Sequence, residues 1–293
     1  MRTAVLCLLL AVIFGLLSRR AQAALRGAFQ RRPWLLPAGA GALAAAFSAI
    51  AAASGAAGPL LPLASAYLVA PAALAWLLGA GAGKRPRALD FAIVALLWFP
   101  LEFGAGAQWV PRPAQGFLHS AAYGFSIILA LLIFLCFRAT PGMKYNLPRS
   151  FRDLFYPLAG FALAAPLLIG LGVWLGFMPG FHMPANLTAV KMASRFAVIF
   201  AATALPEEIL FRALIQNLLM RRFGAGHRTL AAAALVFGAS HLNNGPLPAP
   251  NWRYALVATL AGAAFGKVFQ KSSTVLSPAG LHAMVNTAKH FFF

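Results

Sequence analysis

Ten stretches of this chain, 4–18, 34–54, 59–81, 89–109, 117–137, 154–178, 187–205, 229–246, 254–270 and 274–292, are almost uninterrupted apolar sequence. Most approach the roughly 20 residues a helix needs to cross a bilayer. In lipid the backbone must satisfy its own hydrogen bonds, so such runs form helices or the strands of a closed barrel. Neither strand alternation nor a heptad run is present, so the expected fold is an all-α, polytopic transmembrane helix bundle of about 8–10 spans. The stretch 206–222 continues the seventh run. Composition rules out the soluble alternative: 61% of residues are hydrophobic and 10% charged, against about 45–50% and about 25% in soluble domains. The same numbers exclude disorder. Membrane bundles tolerate the frequent Pro and Gly, and the pairs Gly172/Gly176 and Gly262/Gly266 permit close helix approach.

Lys and Arg total 24 against 5 acidic residues, a net charge of +19. Basic-rich connections (Arg19, Arg20, Arg26, Arg31 and Arg32; Lys84, Arg85 and Arg87; Arg138, Lys144, Arg149 and Arg152; Arg221, Arg222 and Arg228; Lys267 and Lys271) alternate with basic-poor ones that hold only Arg112 or Arg253 or no charge. The rich ones are expected to be cytoplasmic, facing anionic lipid of the cell (plasma or inner) membrane, with both termini outside. No aromatic–basic motif points to nucleic acid, so the bilayer is the partner. Cys7 and Cys136 lie in apolar runs, which argues against a disulfide framework or a cysteine metal site. Ala21-Gln22-Ala23 resembles a signal-peptidase site, but cleavage there would leave Arg26, Arg31 and Arg32 outside, so an uncleaved first helix is expected. Residues 1–150 offer helices of unassigned role and 151–293 hold the chemistry; 138–152 and 242–252, rich in Pro or Asn, look mobile.

An ionisable residue at membrane depth is a functional hypothesis by default. Asp90 and Asp153 sit at span ends beside basic residues, where interface pairing explains them. Glu102, within a span, is expected to pair with a basic group such as Lys191 or Arg195, or to face water. Glu207 and Glu208 are adjacent in an apolar run. Pro206 before them breaks the ladder and suits the first turn of a new helical segment, where the helix dipole favours carboxylates. Glu208 and Arg212, four apart, can pair, while Glu207 points about 100° away and is left to face a cavity. The bland alternative is an acidic pair that merely fixes Arg212 at a kink.

Two other segments supply partners. His241 follows Phe237 by four residues, and His282 precedes Asn286 by four, on one helix face. Counted from the flanking basic residues at 1.5 Å per residue, Glu207, His241, His282 and Asn286 fall at one level, roughly 17–22 Å along their helices. A glutamate, two imidazoles and a carboxamide at one depth suit hydrolysis. Glu207 would take a proton from water oriented by His241, and His282 and Asn286 would donate to a developing oxyanion. No Ser or Cys nucleophile with a base stands out, so direct attack by water, with no cofactor, is expected. Zinc held by Glu207, His241 and His282 is the variant reading, although no HExxH is present.

The three segments read EEILFR at Glu207–Arg212, FGASH at Phe237–His241 and HAMVN at His282–Asn286. They resemble the motifs EExxxR, FxxxH and HxxxN of the CPBP family: CAAX proteases and bacteriocin-processing enzymes, also called the Abi or type II CAAX prenyl endopeptidase family. The resemblance covers about 187–290. It implies an intramembrane glutamate protease needing no metal ligand. Glu207 and His241 would activate water, His282 and Asn286 would form the oxyanion site, and Glu208 and Arg212 would support the pair. It also implies a protein or peptide substrate, lipidated in the CAAX branch. A second function class is a non-proteolytic transporter or scaffold of the same fold. A transporter should carry repeat symmetry between its halves, which this sequence lacks.

Overall fold

The computed structural model describes residues 1–56, 61–81, 83, 85–102, 115–244 and 249–293. Lys84, Arg112 and the end of the fourth apolar run, 103–109, lie outside the described residues. The described residues form helices and no strand, packed as two compact units, Met1–Gly142 and Met143–Phe293.

The first unit contains α1 (Arg2–Gly15), α2 (Arg19–Arg31), α3 (Leu35–Ala53), α4 (Leu61–Leu78), α5 (Ala88–Glu102) and α6 (Gln115–Ala130), the last running on in π-type turns over Leu131–Phe137. The basic stretch 19–33, expected as a loop, is mostly helix. Ser18 caps it by accepting from the Ala21 N–H, and Arg, Ala, Leu and Gln are good helix formers. Its axis turns 85° from α1. Phe29 faces inward, edge-on to Phe137 at 5.8 Å, and Arg26 donates to the Leu135 carbonyl at 2.9 Å, while Arg19, Arg20 and Arg31 are exposed. Ala21-Gln22-Ala23 is part of this helix, with the Gln22 amide donating to the Leu16 carbonyl at 2.8 Å. Asp90 pairs with Arg138 at 3.4 Å, as its position predicts. Within this unit Glu102 accepts from the Trp98 indole at 3.0 Å and the Tyr123 hydroxyl at 2.7 Å, so neutral donors satisfy it there.

The second unit starts at Met143, and residues of 143–153 are hydrogen-bonded to the segment 269–273. Lys144 donates to the carbonyls of Phe269, Gln270 and Ser272 at 2.6, 3.3 and 2.8 Å, closing the end of a helix whose last carbonyls lack partners. Asp153 accepts from the Ser273 N–H and hydroxyl at 2.6 and 2.7 Å and from the Arg149 N–H at 2.8 Å, rather than pairing with a basic side chain. The helices here are α7 (Arg152–Trp174), α8 (Ala189–Ile199), α9 (Leu205–Glu208), α10 (Asn217–Phe223), α11 (His227–Ala239), α12 (Trp252–Lys271) and α13 (Leu276–Phe292).

The helices follow the apolar runs, in line with a helical bundle. Among the described residues three are long and apolar enough to cross a membrane, Leu35–Ala53, Gly116–Phe137 and Arg152–Trp174, or four if the bent pair α1–α2 counts as one span. The eighth run gives only α11, 13 residues long. At 1.5 Å per residue that is about 20 Å, short of a hydrocarbon core of about 30 Å. The chain instead turns through Leu242–Asn244, and Asn251 donates back to the carbonyls of Leu242 and Asn244.

α11 and α12 pack very closely because glycine faces each contact. A Cβ on Gly262 would lie 3.2 Å from the Ala234 Cα, and one on Gly266 would lie 2.6 Å from the Leu230 Cδ1. At Gly238 a Cβ would meet the Ala255 carbonyl oxygen at 2.6 Å, which backbone cannot yield cheaply. Gly238→Ala is therefore expected to force the two helices apart and to cost about 1–3 kcal/mol, the usual range for overpacking. Thermal unfolding of the purified variant checks it: an unchanged midpoint would mean the helices separate without penalty.

Candidate active site

Pro206 does not start a new helix. The chain is helical from 189 to 223, with π-type turns over Phe200–Ala204 and Ile209–Gln216 flanking α9. Pro206 has no N–H, so a regular ladder would orphan a carbonyl one turn back; widening that turn shifts the register past the gap. The Leu205 N–H accordingly bonds to the Phe200 carbonyl, five residues back. With no open helix N-terminus at 206, the dipole expected to favour the carboxylates is absent, and side chains take over that task.

Glu208 is fully buried. One of its oxygens accepts from Arg212 Nε at 2.9 Å and the other from His282 Nδ1 at 3.0 Å. Arg212, equally buried, lies 4.9 Å from the centre of the Phe237 ring and reaches Gln216 Oε1 at 3.5 Å. The Gln216 amide donates in turn to the Gly266 carbonyl at 3.0 Å. A buried charge needs such a shell, since an unpaired one costs several kcal/mol. Glu207 is different: 31% of its side chain is exposed, and its Oε2 lies 3.9 Å from His282 Nε2, an ion-pair distance rather than a hydrogen bond. His282 thus stands between the two carboxylates, Nδ1 toward Glu208 and Nε2 toward Glu207, with its ring stacked on Phe265 at 4.7 Å.

The spacing of FGASH has a physical cause. α11 ends at Ala239, and the His241 N–H bonds to the Gly238 carbonyl. The Phe237 carbonyl then accepts from His241 Nδ1 at 2.8 Å, with the Ser240 hydroxyl 3.0 Å from the same nitrogen. A carbonyl can only accept, so Nδ1 donates to it, and in the neutral ring Nε2 is then the acceptor. The ring is wedged between Phe237 and Tyr254, at 4.8 and 4.6 Å.

His241, His282 and Asn286 line one recess. Its walls are Leu168, Phe177, Met178, Val257 and Phe265, and two further polar side chains, Tyr254 and Lys289, complete it. The structure therefore gathers His241, His282 and Asn286 around a cavity and holds Glu208 and Arg212 behind His282. Glu207 is not among the lining side chains; it approaches His282 from outside that set. Tyr254 and Lys289 were missed from sequence. Lys289 carried a signal, because 282, 286 and 289 share one helix face. Nothing local marks Tyr254. Among the described residues no three His, Cys, Asp or Glu side chains converge as a metal-binding set. No step below passes through a metal.

Residues 189–288 match the family Type II CAAX prenyl endopeptidase Rce1-like. All six of Glu207, Glu208, Arg212, His241, His282 and Asn286 lie in the matched segment. This is the family that the three motifs resemble, one of proteases. No curated protein and no solved structure matches the chain.

Proposed function

We propose that the chain is a multi-pass intramembrane endopeptidase of the CAAX type. It would hydrolyse a peptide bond in a protein or peptide that is membrane-associated and, in the CAAX case, prenylated, using water activated by Glu207 and His241. One observation carries this: a glutamate pair joined through His282, at 3.0 and 3.9 Å, beside a recess that His241, His282 and Asn286 line. The family match over the same residues supports it.

In this reading water sits between the Glu207 carboxylate and the His241 Nε2 lone pair. Its oxygen bonds to the scissile carbonyl carbon while Glu207 takes its proton. The carbonyl oxygen becomes an oxyanion. His282, held through Nδ1 by Glu208, would offer Nε2–H to it, and Asn286 its amide. The intermediate then collapses, the carbon–nitrogen bond breaks, and Glu207 returns the proton to the leaving amine. Glu208 and Arg212 hold His282 at the angle this needs. The N-terminal unit is assigned membrane anchorage, with the basic-rich connections on the cytoplasmic side.

The test is cleavage, in proteoliposomes, of a fluorescent peptide ending in S-farnesyl-Cys-Val-Leu-Ser, with products identified by mass spectrometry. Activity is expected to survive exhaustive treatment with EDTA and phenanthroline. Loss that zinc restores would move His241 and His282 from proton handling to metal ligation.

A further inference from the structure

Lys289 follows His282 by seven residues and Asn286 by three on α13, so the three side chains share one helix face and line the same recess. Its ammonium lies 4.3 Å from the centre of the Phe177 ring and 4.8 Å from that of Tyr254. Those two rings stack on each other at 4.4 Å and 21°, and Tyr254 packs edge-on to His241. The cation is thus carried on an aromatic platform that also braces the proposed water-orienting imidazole. Among the described residues no carboxylate pairs with it. The recess around it is lined mostly by apolar side chains, with Asn286, His282 and His241 as polar members, so the rings offset only part of its desolvation. A ligand that completes the site must bring a negative charge.

We propose that Lys289 binds the free C-terminal carboxylate of the peptide being cut, and so fixes where along the chain the bond is broken. This rests on the endopeptidase reading above. The spacing sets the register. Seven helical residues separate Lys289 from His282 by about 10 Å along the axis, and an extended peptide covers that in about three residues at roughly 3.3 Å each. A carboxylate held at Lys289 therefore puts a bond about three residues from the chain end over His282 and Asn286. A plain structural lysine, snorkelling past two rings, would give no preference for one peptide terminus over another.

The experiment compares two farnesylated peptides of identical sequence ending in Cys-Val-Leu-Ser, one with a free acid and one with an amide terminus. Binding is read first, by fluorescence anisotropy on the Glu207→Gln protein in nanodiscs, so that the result does not depend on turnover. The acid is expected to bind at least tenfold tighter than the amide. Lys289→Met, which keeps the stem and removes the charge, is expected to bring the acid down to the level of the amide, and Lys289→Arg to restore most of the difference. Cleavage by the otherwise native protein should follow the same acid-to-amide ratio. Equal binding of acid and amide, or a Lys289→Met variant that weakens both alike, overturns the proposal. So does displacement of both peptides by short-chain phosphatidic acid at concentrations where a neutral lipid has no effect, since the ammonium would then serve a lipid headgroup. An acid preference that depends on Lys289, without cleavage by the native protein, upholds the carboxylate site and rejects the endopeptidase reading.

Discussion

Glu207→Gln is expected to lower the cleavage rate by about 10²–10⁴, the range that general base catalysis supplies, or about 2.7–5.5 kcal/mol of barrier. The change preserves shape and removes only the ability to take a proton. Glu207 is partly exposed and 3.9 Å from His282, so the protein should fold as before. His241→Ala should cost a similar factor, and the double variant little more, because both groups act on one water and their losses do not add. Asn286→Ala, which removes one oxyanion donor, is expected to cost about 10²–10³. Rates of farnesyl-peptide cleavage at matched protein level decide the matter. A Glu207→Gln protein as fast as the unaltered one, beside a well-folded but inactive Glu208→Gln, would reverse the assignment within the pair. Full activity in both would end the glutamate mechanism.

What the sequence reveals of this site follows the range of the interactions. The Glu208–Arg212 pair is legible because both partners lie on one turn of one helix, and the structure has them 2.9 Å apart. The His282–Asn286 face is legible for the same reason. The bond from His282 to Glu208 joins residues 74 positions apart, and no spacing announces it. Its consequence, that Nδ1 of His282 is already committed and only Nε2 faces Glu207, could not be anticipated. Pro206 misled in a specific way: a missing N–H predicts a helix start, but a five-residue turn absorbs the defect and the rod continues. Arginine-rich 19–33 misled by charge. Counted for topology it is a loop; taken residue by residue it is a capped helix with Phe29 inward. In the C-terminal unit apolar side chains also serve helix contacts and the recess, as Phe237 and Phe265 do beneath His282, a use that apolar length alone does not distinguish from lipid contact.

Glu208→Gln should act first on the fold. Glu208, Arg212 and Gln216 are all fully buried, and removing the carboxylate charge strands the guanidinium in the interior with Phe237 and Gln216 as its remaining neighbours. Breaking such a pair on one side costs about 3–5 kcal/mol. Low yield and a lowered unfolding midpoint are therefore expected alongside lost turnover, and the single variant cannot separate the two. The pair Glu208→Leu with Arg212→Met does separate them. It exchanges both charges for apolar groups of similar size, a replacement that is often neutral or stabilising, so the unfolding midpoint should return toward that of the unaltered protein. Cleavage should not return. His282 would have lost the acceptor that fixes Nδ1, and its ring would no longer present Nε2 beside Glu207. Unfolding followed by intrinsic fluorescence, together with peptide cleavage, reads both quantities on the same preparations. If the double variant is stable and cuts at the native rate, Glu208 is only a counter-charge for Arg212. If it is as unstable as Glu208→Gln alone, the cost lies in the lost His282 contact rather than in the stranded guanidinium.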